Sequence, residues 1–209
     1  MVKNRGIKAI IFDVGGVLWL GIPTELRMKE GIHEIVAKKL GVSVDQYFDS
    51  IDTTYAKSML GEISEKEALR IMARNLKTTP SRLRRLYIDA YRDHLTLNKE
   101  LLKKAEELKK TGYKVAILSD QWAVSKDGLI IKEFYKIFNP VIISCDVQLR
   151  KPDPDIYALV LRKLKVRASQ AVFIDNQHWN IDPAKDMGLH VILFKNNRQA
   201  IAELEKLLK

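Results

Sequence analysis

The sequence predicts an α/β protein: a doubly wound, parallel five-stranded sheet with an all-helical unit inserted after its first strand. Five short apolar runs carry that expectation: Ile7 to Phe12, Lys114 to Leu118, Val141 to Ser144, Ala171 to Ile174 and His190 to Phe194. They are β-branched or aromatic and lack in/out alternation, as strands buried on both faces should. The last four are separated by amphipathic helical stretches, the pattern of parallel strands joined by crossovers. Finally, about a hundred residues separate the first run from the second, far more than a crossover of roughly a dozen requires.

Taken in chain order, the first run ends abruptly. In "KAIIFDVGGVLWL" a carboxylate, Asp13, and two glycines, Gly15 and Gly16, interrupt the apolar sequence. The long interval that follows has helical apolar spacing in "GIHEIVAKKLGV", "VDQYFDSIDTTYAKSML" and "SEKEALRIMARNL", punctuated by Gly41 and Gly61. Residues 20–95 are therefore assigned to a helical insertion, and residues 1–19 and 96–209 to the sheet-bearing core. Within the core the spacing predicts helices over Lys99 to Lys110, about Val124 to Tyr135, Asp155 to Leu164 and Ala200 to Leu208.

Composition narrows the class. With 46% apolar and 30% charged residues over 209 positions, the chain has the balance of a globular protein. No apolar run reaches the roughly 18 residues of a membrane span, and a lone Cys145 rules out an internal disulfide, as expected of a cytoplasmic protein. The start of the chain, with Lys3, Arg5 and Lys8 before an apolar stretch, superficially resembles an export signal. Asp13 breaks that stretch and no small-residue cleavage pattern follows Leu20, so export is not expected. The net charge of +10 raises the question of polyanions. Most Lys and Arg, however, are interleaved with Glu, as in "NKELLKKAEELKK", which marks a solvated helix face. The exception is Arg70 to Arg92, where Arg70, Arg74, Lys77, Arg82, Arg84, Arg85 and Arg92 face only Asp89 along the chain. An ordinary basic surface is the expectation there, and nucleic acid is not an expected partner. The sequence is silent on oligomeric state.

The chemistry collects at strand ends. Ligands of open parallel sheets bind at the carboxyl ends of the strands, where strand order reverses. The first run closes on Asp13, the second on Ser119 and Asp120, the fourth on Asp175 and Asn176, and the loop after the third supplies "RKPDP" with Lys151. Singly, each has an ordinary use as a cap or turn residue. Together, at one sheet edge, they form a candidate site.

The set "FDVGGVL", "ILSD", "RKPDPDIY" and "FIDNQHWNIDPAKDMGLHVILF" resembles the four ordered motifs of the haloacid dehalogenase-like superfamily, including a helical cap inserted after the first motif. The resemblance spans the core; in the cap it rests on position and helical character. It implies a phosphohydrolase with Asp13 as the nucleophile, an aspartyl-phosphate intermediate and Mg²⁺, acting on a small phosphorylated metabolite, a sugar phosphate for example. Lys151 and Ser119 are then catalytic and phosphate-binding. The backbone around Val14, Gly15 and Gly16, with Asp120, belongs to the phosphate site, while Asp13, the Gly15 carbonyl, Asp175 and Asn176 form the metal set. A carboxylate attacks phosphorus only once phosphoryl charge is neutralised, and glycines let backbone N–H groups approach an anion.

The chain departs from that pattern twice. Most phosphatases of the family carry a second aspartate two residues after the nucleophile, as general acid and base; here that position is Gly15. The acidic pair of the fourth motif ends in Asn176, a neutral amide. Trp179 in "NQHWN" is similar to the "SNxWD" motif of the metal-free dehalogenase branch, but Asn180 stands where that branch has its water-activating aspartate. His33 and His94 in the insertion, His178 near the metal position, and Trp122 and Trp179 beside the strand ends have packing or surface roles as their default reading.

Overall fold

A computed structural model describes residues 6–21 and 31–209. Lys3, Arg5 and part of the predicted insertion, 22–30, lie outside the described residues. The core is a parallel sheet of β1 (Ala9–Phe12), β4 (Lys114–Ser119), β5 (Val141–Ile143), β6 (Ala171–Asp175) and β7 (His190–Leu193), in the order β5-β4-β1-β6-β7. All five predicted strands are present, each within two residues of the sequence reading at either end. Every residue of β1 is fully buried. Ile10 and Phe12 pack into one hydrophobic cluster, Ala9 and Ile11 into another on the opposite face, which is why the run shows no polar alternation.

Two further strands fall in the interval read as strand-free. β2 (Trp19–Gly21) and β3 (Leu95–Leu97) pair antiparallel, Trp19 opposite Leu97 and Gly21 opposite Leu95. Three residues carry no readable period, and their pairing joins the two ends of the insertion, a contact invisible to any local pattern. Between them lie α1 (Ile32–Leu40), α2 (Val44–Met59), α3 (Glu65–Asn75) and α4 (Pro80–His94), an all-helical cap. Their starts are chemically explicit. Ser43 and Gln46 form a capping box on α2, Ser64 accepts from the Glu67 N–H on α3, and Thr79 accepts from the Arg82 N–H with Pro80 at the first helical position. Cap residues Tyr47, Ile51, Met72 and Tyr87 belong to the same hydrophobic cluster as one face of the sheet.

The core helices α5 (Lys99–Lys110), α9 (Pro154–Leu164) and α11 (Asn197–Leu208) follow the predicted stretches. The helix expected over Val124 to Tyr135 is instead α6 (Ala123–Leu129) and α7 (Lys132–Ile137). A continuous helix would offer the Leu129 carbonyl to the fourth residue on, but that carbonyl accepts from Trp19 Nε1 at 2.8 Å. Two helices lie outside the predicted set: α8 (Ser144–Val147), which shortens the third strand, and α10 (His178–Asp186), whose internal Pro183 argues against a helix on local grounds.

Part of the basic run on α3 and α4 is paired in the fold. Arg84 donates to Glu65 of α3 at 2.7 Å and to Asp127 of α6 at 2.6 Å, joining cap to core, and Arg70 pairs with Glu67. Trp122, fully buried, contacts the rings of Tyr55 and Tyr87, and His33 packs edge-on to Tyr55 at 4.8 Å. Burial holds His33 down at about pKa 4, against a smaller opposing pull from Glu34.

Two predictions follow from packing. Gly61 (φ +65°) lies so close that a Cβ would overlap the Cys145 carbonyl of α8, whereas Gly41 (φ +73°) has open space around it. Gly41→Ala should therefore cost only the left-handed strain of roughly 1–2 kcal/mol, and Gly61→Ala clearly more, in urea unfolding. Because the unfolded state protonates His33 near the ordinary value of about 6.5 and the folded state only near 4, the unfolded chain binds more protons between those limits. Stability should fall as pH drops through that window, by at most roughly 1.4 kcal/mol per pH unit from this residue. In His33→Gln the loss between pH 7 and pH 5 should be smaller than in wild type.

Candidate functional site

β1 is the central strand, flanked by β4 and β6, and successive segments cross to opposite sides of it. That is the switch point at which open sheets bind ligands. The parallel registers, Phe12 opposite Ile117 and opposite Ile174, bring Asp13, Ser119 and Asp175 to one edge. The loop between α8 and α9 reaches over this edge with Lys151.

Lys151 joins the group together. Its Nζ donates to Asp13 Oδ1 at 2.9 Å and to Asp175 Oδ2 at 2.7 Å, and all three side chains are almost fully buried. The same ammonium stands 5.6 Å from the Phe173 ring centroid. Burial pulls the Lys151 pKa down, but Asp13, Asp175 and Asp120 outweigh it and hold the group above its ordinary value, fully charged. Burial pushes Asp13 up to about 6, Lys151 opposes that shift, and Asp175 adds to it. Asp120 is raised by burial too, against the pull of Lys151 and exposed Arg150; its Oδ1 accepts the Lys151 backbone N–H at 3.1 Å and so fixes the loop.

The loop after β1 divides its amides. The Val14 carbonyl accepts from Leu18 at 2.9 Å and Trp19 at 2.8 Å, and the Gly16 N–H donates to the Trp19 carbonyl at 2.7 Å. Gly16 is thereby committed within the turn, and the Gly15 amide makes none of these bonds. The two glycines differ sterically as well. Gly16 needs φ +77°, and a Cβ there would overlap the Asn176 amide, whereas a Cβ on Gly15 would meet nothing within 4 Å. The position where family phosphatases carry an acid is open space here.

Asp175 and Asn176 take different parts. Both Asp175 oxygens are occupied: Oδ2 by Lys151 and by Asn180 Nδ2 at 3.0 Å, Oδ1 by the Gln177 N–H at 2.8 Å. Asn176 Oδ1 is buried and has no hydrogen-bond partner among the described residues. Among the described residues no group of three His, Cys, Asp or Glu side chains is placed to hold a metal ion. A cation here would draw on the oxygens of Asp13 and Asp175, the Gly15 carbonyl, the Asn176 amide and water, a mixed oxygen set of the kind Mg²⁺ accepts. The chemistry fits in two respects. Three carboxylates surround one buried ammonium, leaving excess negative charge, and a buried oxygen acceptor is unmet.

Two contributors, Gln121 and Tyr157, lay beyond the sequence reading, and a third, Asn180, entered it only as the residue standing in place of an aspartate. Gln121 donates from Nε2 to Ser119 Oγ at 2.9 Å; Asn180 donates to Asp175; and Tyr157 donates to the Asn180 carbonyl at 2.8 Å. Gln121 directly follows "SD", but an amide beside a motif carries no distinguishing pattern. Tyr157, in α9, comes 23 residues before its partner. His33 and His94 belong to the cap, and Trp179 is 64% exposed while Trp122 is buried.

Lys151 thus bridges two buried aspartates at the switch point of a parallel sheet that carries a helical cap. The family model for haloacid dehalogenase-like hydrolases matches residues 7–188, and the chain belongs to that family. Among curated relatives, bifunctional epoxide hydrolase 2 of Rattus norvegicus is 35% identical over 116 residues, 53% of this chain. The aligned part is 21% of that protein's length. (S)-2-haloacid dehalogenase of Pseudomonas fluorescens is 23% identical, covering 96% of this chain and 90% of its own. Among solved structures, a haloacid dehalogenase family enzyme of Bacteroides thetaiotaomicron in complex with magnesium and inorganic phosphate superposes with TM-score 0.74. It is 19% identical and covers 91% of this chain and 95% of that one, which shows the shared fold.

The site generates a contrast between neighbouring glycines. Gly15→Ala should leave stability within about 1 kcal/mol of wild type, since φ is ordinary and the space is open. Gly16→Ala should cost at least roughly 1–2 kcal/mol in left-handed strain while displacing the Asn176 amide. Lys151→Met should destabilise by roughly 3–5 kcal/mol, because it strands buried carboxylates. Thermal and urea unfolding measure all three.

Proposed function

We propose that this protein is a phosphatase of small phosphorylated metabolites, with Mg²⁺ held at Asp13 and Asn176 and the phosphoryl group carried transiently on Asp13. The observation that carries the reading is the unmet, buried Asn176 oxygen beside a carboxylate cluster with excess negative charge. Mg²⁺, when bound there, would offset charge on the phosphoryl oxygens so that an anion can approach phosphorus. The chain's own residues do the rest. Asp13, anchored through Oδ1 by Lys151, uses its carboxylate to form a bond to phosphorus as the bond to the leaving oxygen breaks. Lys151 and the Ser119 hydroxyl supply positive charge and a hydrogen bond to the phosphoryl oxygens. A water oxygen then bonds to phosphorus as the bond to Asp13 breaks, its proton staying on the phosphate or passing to solvent, and inorganic phosphate leaves with the carboxylate restored.

The leaving oxygen takes its electron pair without an acid at position 15. Positioned acid catalysis is worth typically about 10²–10⁴-fold, so good leaving groups, such as anomeric or acyl phosphates, are the substrates this site favours. The cap carries the choice of substrate. A second reading, a metal-free 2-haloacid dehalogenase, draws on the Lys151 bridge and on Trp179. Against it, the Asn180 amide is already donating to Asp175 and has no basic group with which to activate water.

A panel of sugar, acyl and aryl phosphates, with and without Mg²⁺ and beside Asp13→Asn, tests the proposal. Mg²⁺-dependent phosphate release that disappears in Asp13→Asn is expected. Halide release from 2-haloacids without Mg²⁺ would establish the second reading, and ligand-induced stabilisation without turnover would make the protein a phosphate-ligand binder. Two variants sharpen it. Gly15→Asp should speed alkyl phosphates more than aryl phosphates, flattening the dependence on leaving-group pKa. Asn176→Asp should tighten Mg²⁺ binding in calorimetry, since a charged oxygen replaces a neutral one.

A further inference from the structure

Ser144 and Gln121 build a scaffold behind the candidate catalytic hydroxyl. Ser144, fully buried where β5 gives way to α8, accepts the Gln121 N–H at 3.0 Å and donates its own hydroxyl to the Gln121 carbonyl at 3.1 Å. The Gln121 backbone is thus clamped from both sides by the neighbouring strand end. Its side chain is 5% exposed, and its Nε2 donates to Ser119 Oγ at 2.9 Å. Ser119 is itself buried, and its hydroxyl proton has no acceptor among the described residues.

That arrangement fixes a direction. A serine hydroxyl has one proton and two lone pairs. With a lone pair occupied by the Gln121 amide, the proton is turned away from Gln121. The β1–β4 register places Phe12 opposite Ile117, so the hydroxyl lies one residue beyond the level of Asp13, at the edge where an anion would sit. We propose that Gln121 is a positioning residue, which orients the Ser119 hydroxyl so that its single proton is offered to an anionic oxygen of the substrate. This rests on the phosphoryl site proposed above. A carboxamide suits the task because its NH₂ end can only donate, so Ser119 cannot satisfy itself by donating inward. The preorganised donor needs no reorientation as charge develops on the phosphoryl oxygens.

A double-mutant cycle on inorganic phosphate binding, measured by calorimetry in Mg²⁺ buffer, tests this. Gln121→Met keeps the volume and removes the donor; it should weaken binding roughly three- to tenfold, the worth of one oriented hydrogen bond. In a Ser119→Ala background the same change should alter binding by less than about twofold, because the residue acts through the hydroxyl. Gln121→Glu has the same shape but accepts the hydroxyl proton, so it should weaken binding more than Gln121→Met does. Should Gln121→Met fail to fold by melting, this isosteric variant decides. Equal losses in both backgrounds, or a Gln121→Glu protein that binds as tightly as wild type, would overturn the inference while leaving the phosphoryl site standing. A folded wild type that binds no inorganic phosphate overturns the site reading and the inference together.

Discussion

The buried ammonium of Lys151 is the constraint on which the site depends. Its hydrogen bonds to Asp13 and Asp175 tie the ends of two neighbouring strands to a loop that arrives from a third segment of chain. None of these groups is stable in this position alone, since an isolated buried charge is far more expensive than a paired one. The surrounding polar residues follow from that requirement. Asp120 fixes the backbone of the lysine's loop, Asn180 and the Gln177 N–H add two further donors to Asp175, and Tyr157 holds Asn180 in turn. The consequence is a carboxylate at Asp13 that is anchored at one oxygen and, among the described residues, engaged by no side chain at the other.

The charge balance leaves the site with a surplus of negative charge. Three carboxylates share one buried lysine, and burial, with Asp175 adding to it, lifts Asp13 against the pull of Lys151. The nearby Asn176 oxygen is unmet as well. Both features describe a centre short of positive charge and of one coordinating or donating partner, the condition a phosphoryl–cation pair would satisfy.

The cap is coupled to this edge through packing more than through charge. Trp122 follows the Ser119–Asp120–Gln121 turn and inserts among Tyr55, Tyr87 and Tyr91, with His33 behind them. The Arg84 bridge from Glu65 to Asp127 and the close approach of Gly61 to Cys145 add two further points of contact.

The five core strands, the helical character of the insertion and the convergence of Asp13, Ser119, Lys151 and Asp175 were legible in the sequence. Each rests on a local signal: an apolar run, a period, or a polar residue that ends a strand. What the sequence could not show depends on contacts between distant residues. The β2–β3 pair joins positions 19 and 97, the break between α6 and α7 follows from Trp19 capturing a carbonyl 110 residues away, and α10 forms despite Pro183. The same holds inside the site. Sequence alone could treat Asp175 and Asn176 as one metal pair and the two glycines as one cradle. The tertiary structure gives them different surroundings: Asp175 takes three hydrogen bonds, from Lys151, Asn180 and the Gln177 N–H, while among the described residues Asn176 Oδ1 takes none, and a Cβ would meet a neighbour at Gly16 but not at Gly15. Residue type and order determined which groups were available; the packing of strands and loops decided which valences were already filled.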